Sequence, residues 1–555
     1  MQGLVVRAQM SGLTNSKNIM SFPSHFPLAL LACPFPKKRA TSTSVTSNKS
    51  SLPHNVSQDE FSTESSEKWQ KGIKEALVQG TGSCDQTAMM ELIDTIQRLG
   101  IGHYFEGEIQ MQLHELSSSS AVDDNDLFST ALRFRLLRHN GLWASTDVFK
   151  KFVNERGQFD DSLIEDTKGM LSLYEASYMG TKDEDILFQA MEFTTNHLKQ
   201  SLMELPRHLR MQRLESRNYI NEYSNHSNCN LDVLELAMFD FNRVQLQHQE
   251  ELAEIIRWWK ELGLVDKLGF GRDRPLECFL WTVGIFPEPY QSSCRIELTK
   301  TISILLVLDD VFDTYGGLDE LVLFEDAIKR WDLGAMEDLP EYMKICYMAL
   351  YNTTNDIAYK ILKEHGLNIV SHLRRTWKDI IEAFLVEAMW CNRGYVPTLE
   401  EYLENGVTTG GTYMALVHSF FLMGQGVTKE TIALLDPYPN LLTRSGRVLR
   451  LWDDLGTAQE EQERGDVASS IECYMKEKGI GGEEEGRRQI RQMIRELWVE
   501  LNGELVAQNG LPLSLISASL NVARTAQVVY QHGDDNTFSG VEDHAQALFF
   551  RPIGS

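Results

Sequence analysis

The feature that most restricts the fold is an apolar run that ends in acids. Residues 302–308 are apolar except for Ser303 and lead straight into Asp309-Asp310-Val311-Phe312-Asp313. The run shows no alternation of apolar and polar residues and reads as a helix buried on most sides. Carboxylates that continue a buried helix are costly unless they face a cation. On an α-helix Asp309 and Asp313 stand four apart and share a face, while Asp310 points about 100° away. Hard oxygen ligands of this kind suit Mg²⁺, with Mn²⁺ as the alternative, and Mg²⁺ keeps waters and phosphate oxygens among its ligands. Taken alone, the same residues also fit a capped helix end with solvated acids.

A second acidic stripe shifts that balance. Asp453, Thr457 and Glu461 fall at i, i+4 and i+8 of one helical segment, a stripe about 12 Å long at ~1.5 Å per residue. A threonine hydroxyl between two carboxylates is unusual for a solvated face and sensible for a metal held between acids. Arg450 precedes Asp453 by three residues and projects from the same side. A third element, Arg272-Asp273-Arg274, lies just before Pro275. Two arginines flanking one residue can each present a planar fork of donors to a phosphate. For the tripeptide by itself, surface ion pairs are the plainer reading. Together, two acidic stripes and an arginine pair imply a diphosphate held between metals and guanidinium groups. The organic fragment left behind is a carbocation, so the remaining pocket is expected to be apolar and aromatic. Trp281 and Tyr530 are candidates to face it through their π-clouds, although an isolated aromatic is more often plain core.

Composition sets the surroundings of these motifs. The 555 residues exceed one small core and suggest two structured domains plus a tail. A net charge of −26 repels nucleic acid and anionic membranes, so neither is an expected partner. The eight cysteines form no CxxC pair, which argues against a zinc site or a disulfide framework. No apolar run reaches the roughly 18–20 residues needed to span a bilayer. Residues 1–58 contain no Asp or Glu, are basic and are rich in Ser and Thr, as organelle transit peptides are. A plain disordered tail has the same composition. From about Phe61 the pattern is helical, with Leu92, Ile93, Ile96 and Leu99 on one face and similar stripes in 231–259. Asp123-Asp124-Asn125-Asp126 is expected to start a helix or sit in a loop. No alternating strand pattern stands out. The second half reads as a bundle of about ten helices around a cavity, punctuated by Gly316-Gly317, Gly410-Gly411 and Gly481-Gly482.

These residues resemble those of the plant terpene synthases, and the likeness covers nearly everything after the N-terminal segment. Asp309, Asp310 and Asp313 match the family's DDxxD. Asp453, Thr457 and Glu461 match its second metal motif, (N/D)DxxSxxxE with threonine allowed for serine. Arg272 and Arg274 match its RxR element, and Arg450 its diphosphate-facing arginine. The stretch 237–245 and Arg257-Trp258-Trp259-Lys260 look like its domain junction, and residues 530–535 like the loop that closes over the site.

The resemblance implies an all-α fold of two helical domains: an N-terminal α-barrel-like domain over 58–245 and a C-terminal class I terpenoid synthase α-bundle over 246–555. Residues 1–57 would be a plastid transit peptide. It also implies three Mg²⁺, a prenyl diphosphate substrate bound by Arg272, Asp309, Asp313, Arg450 and Asp453, and a monomer. The chain departs from cyclising relatives in two places. It has no arginine between Arg39 and Arg98, where many monoterpene cyclases carry a tandem pair, and Thr537 stands where many sesquiterpene cyclases have tyrosine. Both departures are similar to the TPS-g subfamily, which makes acyclic products, with linalool and nerolidol synthases the nearest group. The expectation is therefore ionisation of geranyl or farnesyl diphosphate and water capture to give linalool or nerolidol. Synthases of acyclic hydrocarbons, cyclising synthases and a catalytically silent helical scaffold are the alternatives.

Overall fold

Capping side chains and left-handed glycines set where the helices of this chain begin and end. The computed structural model describes residues 56–79, 86–118, 126–198, 205–464, 469–507, 509–531 and 537–554. Within these segments, the side chains of 56–64, 79, 459–464 and 537–539 are outside the description. The expected transit segment therefore lies outside the described residues, save for the backbone of its last two positions.

The N-cap of helix Leu127–His139 is Asp126, whose carboxylate accepts from the Ser129 N–H at 2.8 Å. The acidic stretch that ends in Asp126 thus starts a helix, with 123–125 outside the described residues. Thr398 and Glu401 form a reciprocal capping box at the start of Leu399–Thr409. The long junction helix Leu231–Leu262 starts at Asn230, whose side chain accepts from two backbone N–H groups, and stops at Gly263 (φ 64°). Among the described residues the regular elements are all helical, apart from an isolated bridge between Val153 and Phe159. The all-α expectation holds. None of these helices is long and apolar enough to cross a membrane.

The halves share cores instead of meeting at a thin seam. Ile93, Ile96 and Leu99 are buried in a cluster that also takes in Phe241 of the junction helix and Phe279, Val283, Val528 and Phe549 from the second half. Leu92 packs against it. A second cluster runs the other way, joining Phe134, Phe149 and Leu173 to Leu298, Leu416 and Leu449. The division expected between 245 and 246 falls inside the 32-residue junction helix, which serves both halves.

The helix Ser292–Asp310 carries the first acidic motif, and its buried positions are set by two anchors. Ile304, Val307, Leu308 and Phe312 enter an apolar cluster with Trp377 and Phe384. At the other end, Arg295 is fully buried against Glu251 of the junction helix. Its Nε donates to Oε2 at 2.7 Å and its Nη2 to Oε1 at 2.6 Å. Nη1 donates to the carbonyls of Phe286 and Glu288 at 2.9 and 2.7 Å, which leaves the guanidinium well satisfied. Regular α-geometry ends at Asp310. Val311–Tyr315 is a π-turn closed by the Gly316 N–H donating to the Val311 carbonyl at 2.7 Å. The uniform α-helix expected through Asp313 is therefore corrected to a wider last turn, a form common at functional sites.

Breaking a buried ion pair from one side strands the other charge, at a cost of about 3–5 kcal/mol. Glu251→Ala is expected to lower unfolding free energy by roughly that amount. Chemical denaturation followed by circular dichroism measures it, and a loss under about 1 kcal/mol would contradict the anchoring role.

Candidate active site

The arginine loop is tied to the first acidic motif through both the backbone and the side chain of Arg272. The Arg272 backbone N–H donates to Asp310 Oδ2 at 2.9 Å. Its Nη2 donates to the Leu306 carbonyl at 3.1 Å and to the Asp309 carboxylate. Nε lies 2.7 Å from Asp310 Oδ1, a close ion-pair contact without its N–H aimed at the oxygen. Between the arginines, Asp273 accepts from Trp259 Nε1 at 2.9 Å. Burial works against the Arg272 charge, but Asp309, Asp310 and Asp313 outweigh it and raise its pKa. Arg274 goes the other way: burial and the neighbouring Arg272 lower its pKa, against Glu277. The two arginines are thus not equivalent: nearby acids strengthen the charge of Arg272, while burial weakens that of Arg274. Burial also raises the Asp310 pKa, with Asp309 adding to it.

The second motif stands on helix Asn440–Arg464. Arg450 Nη1 donates to Asp453 Oδ2 at 2.9 Å, as the three-residue spacing suggests. The Asp453 pKa is raised by burial and by the charges of Asp454 and Asp309, against Arg450 and a hydrogen bond from the Tyr530 side chain. Asp309, on another helix, adds to that rise, so the two acidic motifs lie within electrostatic reach of one another. Asp454 has a different job. It is fully buried and accepts from the Tyr402 hydroxyl at 2.7 Å and the Ser470 N–H at 2.9 Å. Thr457 Oγ1 donates back to the Asp453 carbonyl at 2.8 Å. The side chain of Glu461 lies outside the described residues.

Trp281 and Tyr530 come together, with ring centroids 6.0 Å apart. Tyr530 is therefore more than an aromatic wall, because its hydroxyl also engages the acidic motif. The helix Leu513–Tyr530 approaches very closely here. A Cβ on Gly456 would stand 2.8 Å from the Tyr530 carbonyl oxygen.

Sequence reasoning missed three residues of this site. Glu387, on helix Val370–Arg393, accepts from Thr409 Oγ1 at 2.9 Å and Asn405 Nδ2 at 3.2 Å. Burial raises the Glu387 pKa, Arg450 opposes this, and Asp309 adds to it. Its signal was present: a lone acid among Phe384, Leu385, Val386 and Ala388 is as costly as Asp309. Thr409 and Asn405 carried no local signal, because their partners come from other helices.

Asp309, Asp310 and Asp313 of the first motif, with Asp453 and Thr457 of the second, are the described groups that could hold a divalent cation. The raised pKa of Asp453, caused by burial and like charges, marks negative charge that a cation would relieve. Among the described residues, however, no three acids, histidines or cysteines converge tightly enough to hold an ion unaided. Such walls suit Mg²⁺ that takes phosphate oxygens and waters as its other ligands. Asp454 faces into the protein and lies outside this set. Asp454→Ala would strand the Tyr402 hydroxyl and the Ser470 N–H, and about 2–3 kcal/mol of stability should be lost. An unchanged melting temperature would contradict the structural role.

Known proteins match this arrangement over most of its length. The description "Terpene synthase family, metal binding domain" fits residues 260–500, and "Terpene synthase, N-terminal domain" fits residues 40–216. The chain is 58% identical over 477 residues to a chloroplastic geraniol synthase of Ocimum basilicum, covering 83% of each chain. It is 53% identical over 481 residues to the chloroplastic R-linalool synthase of the same plant, covering 84% of this chain and 83% of that one. Isoprene synthase from grey poplar leaves (Populus x canescens), solved with three Mg²⁺ ions and dimethylallyl-S-thiolodiphosphate, superposes with a TM-score of 0.84 at 37% identity. That match covers 89% of this chain and 97% of the poplar enzyme. With its all-helical fold and two acidic motifs, the chain belongs to the terpene synthase family, the class I lyases that act on prenyl diphosphates.

Proposed function

We propose that the chain ionises geranyl diphosphate and captures the resulting allylic cation with water at C3, giving the acyclic tertiary alcohol linalool. With farnesyl diphosphate the same chemistry gives nerolidol. The observation that carries this reading is the pair of acidic motifs within electrostatic reach of one another, each ion-paired to an arginine (Arg272, Arg450), with the paired rings of Trp281 and Tyr530 beside them. The C1–O bond of the substrate breaks, its electron pair leaves on diphosphate, and water supplies the hydroxyl and releases one proton. Mg²⁺, with Mn²⁺ as a substitute, would supply charge neutralisation for the departing diphosphate when bound, held by Asp309, Asp310, Asp313, Asp453, Thr457 and Glu461. Arg450 and Arg272 add fixed positive charge, and the rings of Trp281 and Tyr530 offer negative faces to the cation. The absent arginine pair ahead of Trp69 supports an acyclic product.

A second reading has one specific observation in its favour. Identity to the geraniol synthase exceeds identity to the R-linalool synthase. Water capture at C1 would give that primary alcohol from the same cation. The transit-like residues 1–57 and the chloroplastic relatives support action in a plastid, where the ten-carbon substrate is expected.

Replacing an aspartate of either motif tests the clamp. Asp309→Ala and Asp453→Ala should each lower turnover by at least about a hundredfold while leaving the helical circular dichroism signal unchanged. Near-normal activity in either variant sinks the clamp. The product itself is read by gas chromatography–mass spectrometry after separate incubations with geranyl and farnesyl diphosphate and Mg²⁺. Linalool and nerolidol support capture at C3, and geraniol moves the assignment to C1. Myrcene or ocimene replaces water capture by proton loss, and cyclic products overturn the reading of the missing arginine pair.

A further inference from the structure

We infer that Thr409 is a positioning residue for the departing diphosphate and acts through Arg450. The inference rests on the proposed role of Arg450 as a diphosphate contact. Thr409 is the last residue of Leu399–Thr409 and is almost fully buried. Immediately after it comes Gly410-Gly411, where Gly411 adopts φ 73° and the chain redirects into Thr412–Met423. The hydroxyl of Thr409 stands between two charged groups. It accepts from Arg450 Nη2 at 2.9 Å and donates to Glu387 Oε1 at 2.9 Å. One donor and two lone pairs allow both bonds together. Its other acceptor, the Gly406 carbonyl at 3.5 Å, is a poor competitor.

The rest of the guanidinium shows why this contact matters. Nη1 is held by Asp453, and Nε donates to the Gly406 carbonyl at 3.3 Å. The arginine lies directly on the backbone of that helix: a Cβ on Gly406 would stand 3.1 Å from both Arg450 Cγ and Nε. Three edges of one planar group are therefore fixed by a carboxylate, a carbonyl and a hydroxyl. Asp453 is the edge that would change, because it would share its charge with any cation it holds. The Thr409 hydroxyl keeps its geometry and, being neutral, leaves the arginine's charge available to an anion. It also keeps Glu387 at one remove. Without the hydroxyl, Glu387 loses a donor and lies open to direct pairing with Arg450, which would draw the cationic group away from the diphosphate.

The test uses the full chain with Mg²⁺ and measures two quantities: KM for geranyl diphosphate and the inhibition constant of inorganic diphosphate. Thr409→Val removes the hydroxyl at nearly constant shape, and Thr409→Ser restores it. The valine variant should raise both constants about tenfold or more, the usual effect of deleting a hydrogen bond to a charged group. The serine variant should stay within about threefold of the parent. Should the valine variant fail to fold, Thr409→Ala takes its place against serine. A serine variant as impaired as valine, or a valine variant with an unchanged inhibition constant, overturns the inference. Arg450→Ala, measured alongside, separates the two levels. An unchanged inhibition constant there removes the role of Arg450 itself, and the inference falls with it.

Discussion

Carboxylates held inside an apolar bundle are the constraint on which the rest of this structure depends. Each buried acid would be ruinous alone, so the fold surrounds the two motifs with donors. Arg272 holds Asp309 and Asp310, Arg450 and Tyr530 hold Asp453, and Tyr402 and Ser470 hold Asp454. The compensation is incomplete by design of the fold. Asp453, Asp310 and Glu387 all keep raised pKa values because burial and like charges outweigh their partners. On the proposed function, divalent cations would relieve that crowding of acids and, through them, an anionic substrate could bind to a protein that is itself strongly acidic.

Much of this was legible in the chain because it is encoded locally. Helical periodicity and acids inside apolar runs both show within a dozen residues, which is why Asp309, Asp453 and their neighbours stand out. Glu387 obeys the same rule but lacks a second acid four residues away, so nothing reinforced it. The π-turn at Val311–Tyr315 was invisible because Val311 and Phe312 continue the apolar run without a break. Tyr530 could be placed as an aromatic wall, but its bond to Asp453 depends on how closely Gly456 lets two distant helices approach. Thr409 and Asn405 are ordinary polar residues until the bundle brings Arg450 and Glu387 beside them.

The arrangement also separates two kinds of aspartate within one motif. Asp453 pairs with Arg450 within reach of the first motif, while its neighbour Asp454 turns inward to brace the helix Leu399–Thr409 through Tyr402 and the start of Ser470–Lys478. Adjacent residues on a helix point about 100° apart. A pair of acids can therefore serve chemistry and architecture at once.

The pairing of Arg295 with Glu251 bears on how such a chain can be cut. Glu251 lies in the junction helix, ahead of the residues that match the metal-binding domain, and Arg295 lies within them. A fragment beginning after Gly263 would keep both acidic motifs yet leave a buried guanidinium without its anion and the Phe279–Phe549 face without its cover. The half that does the chemistry is thus not a self-sufficient module: its first acidic helix is held in place by a helix that belongs equally to its neighbour.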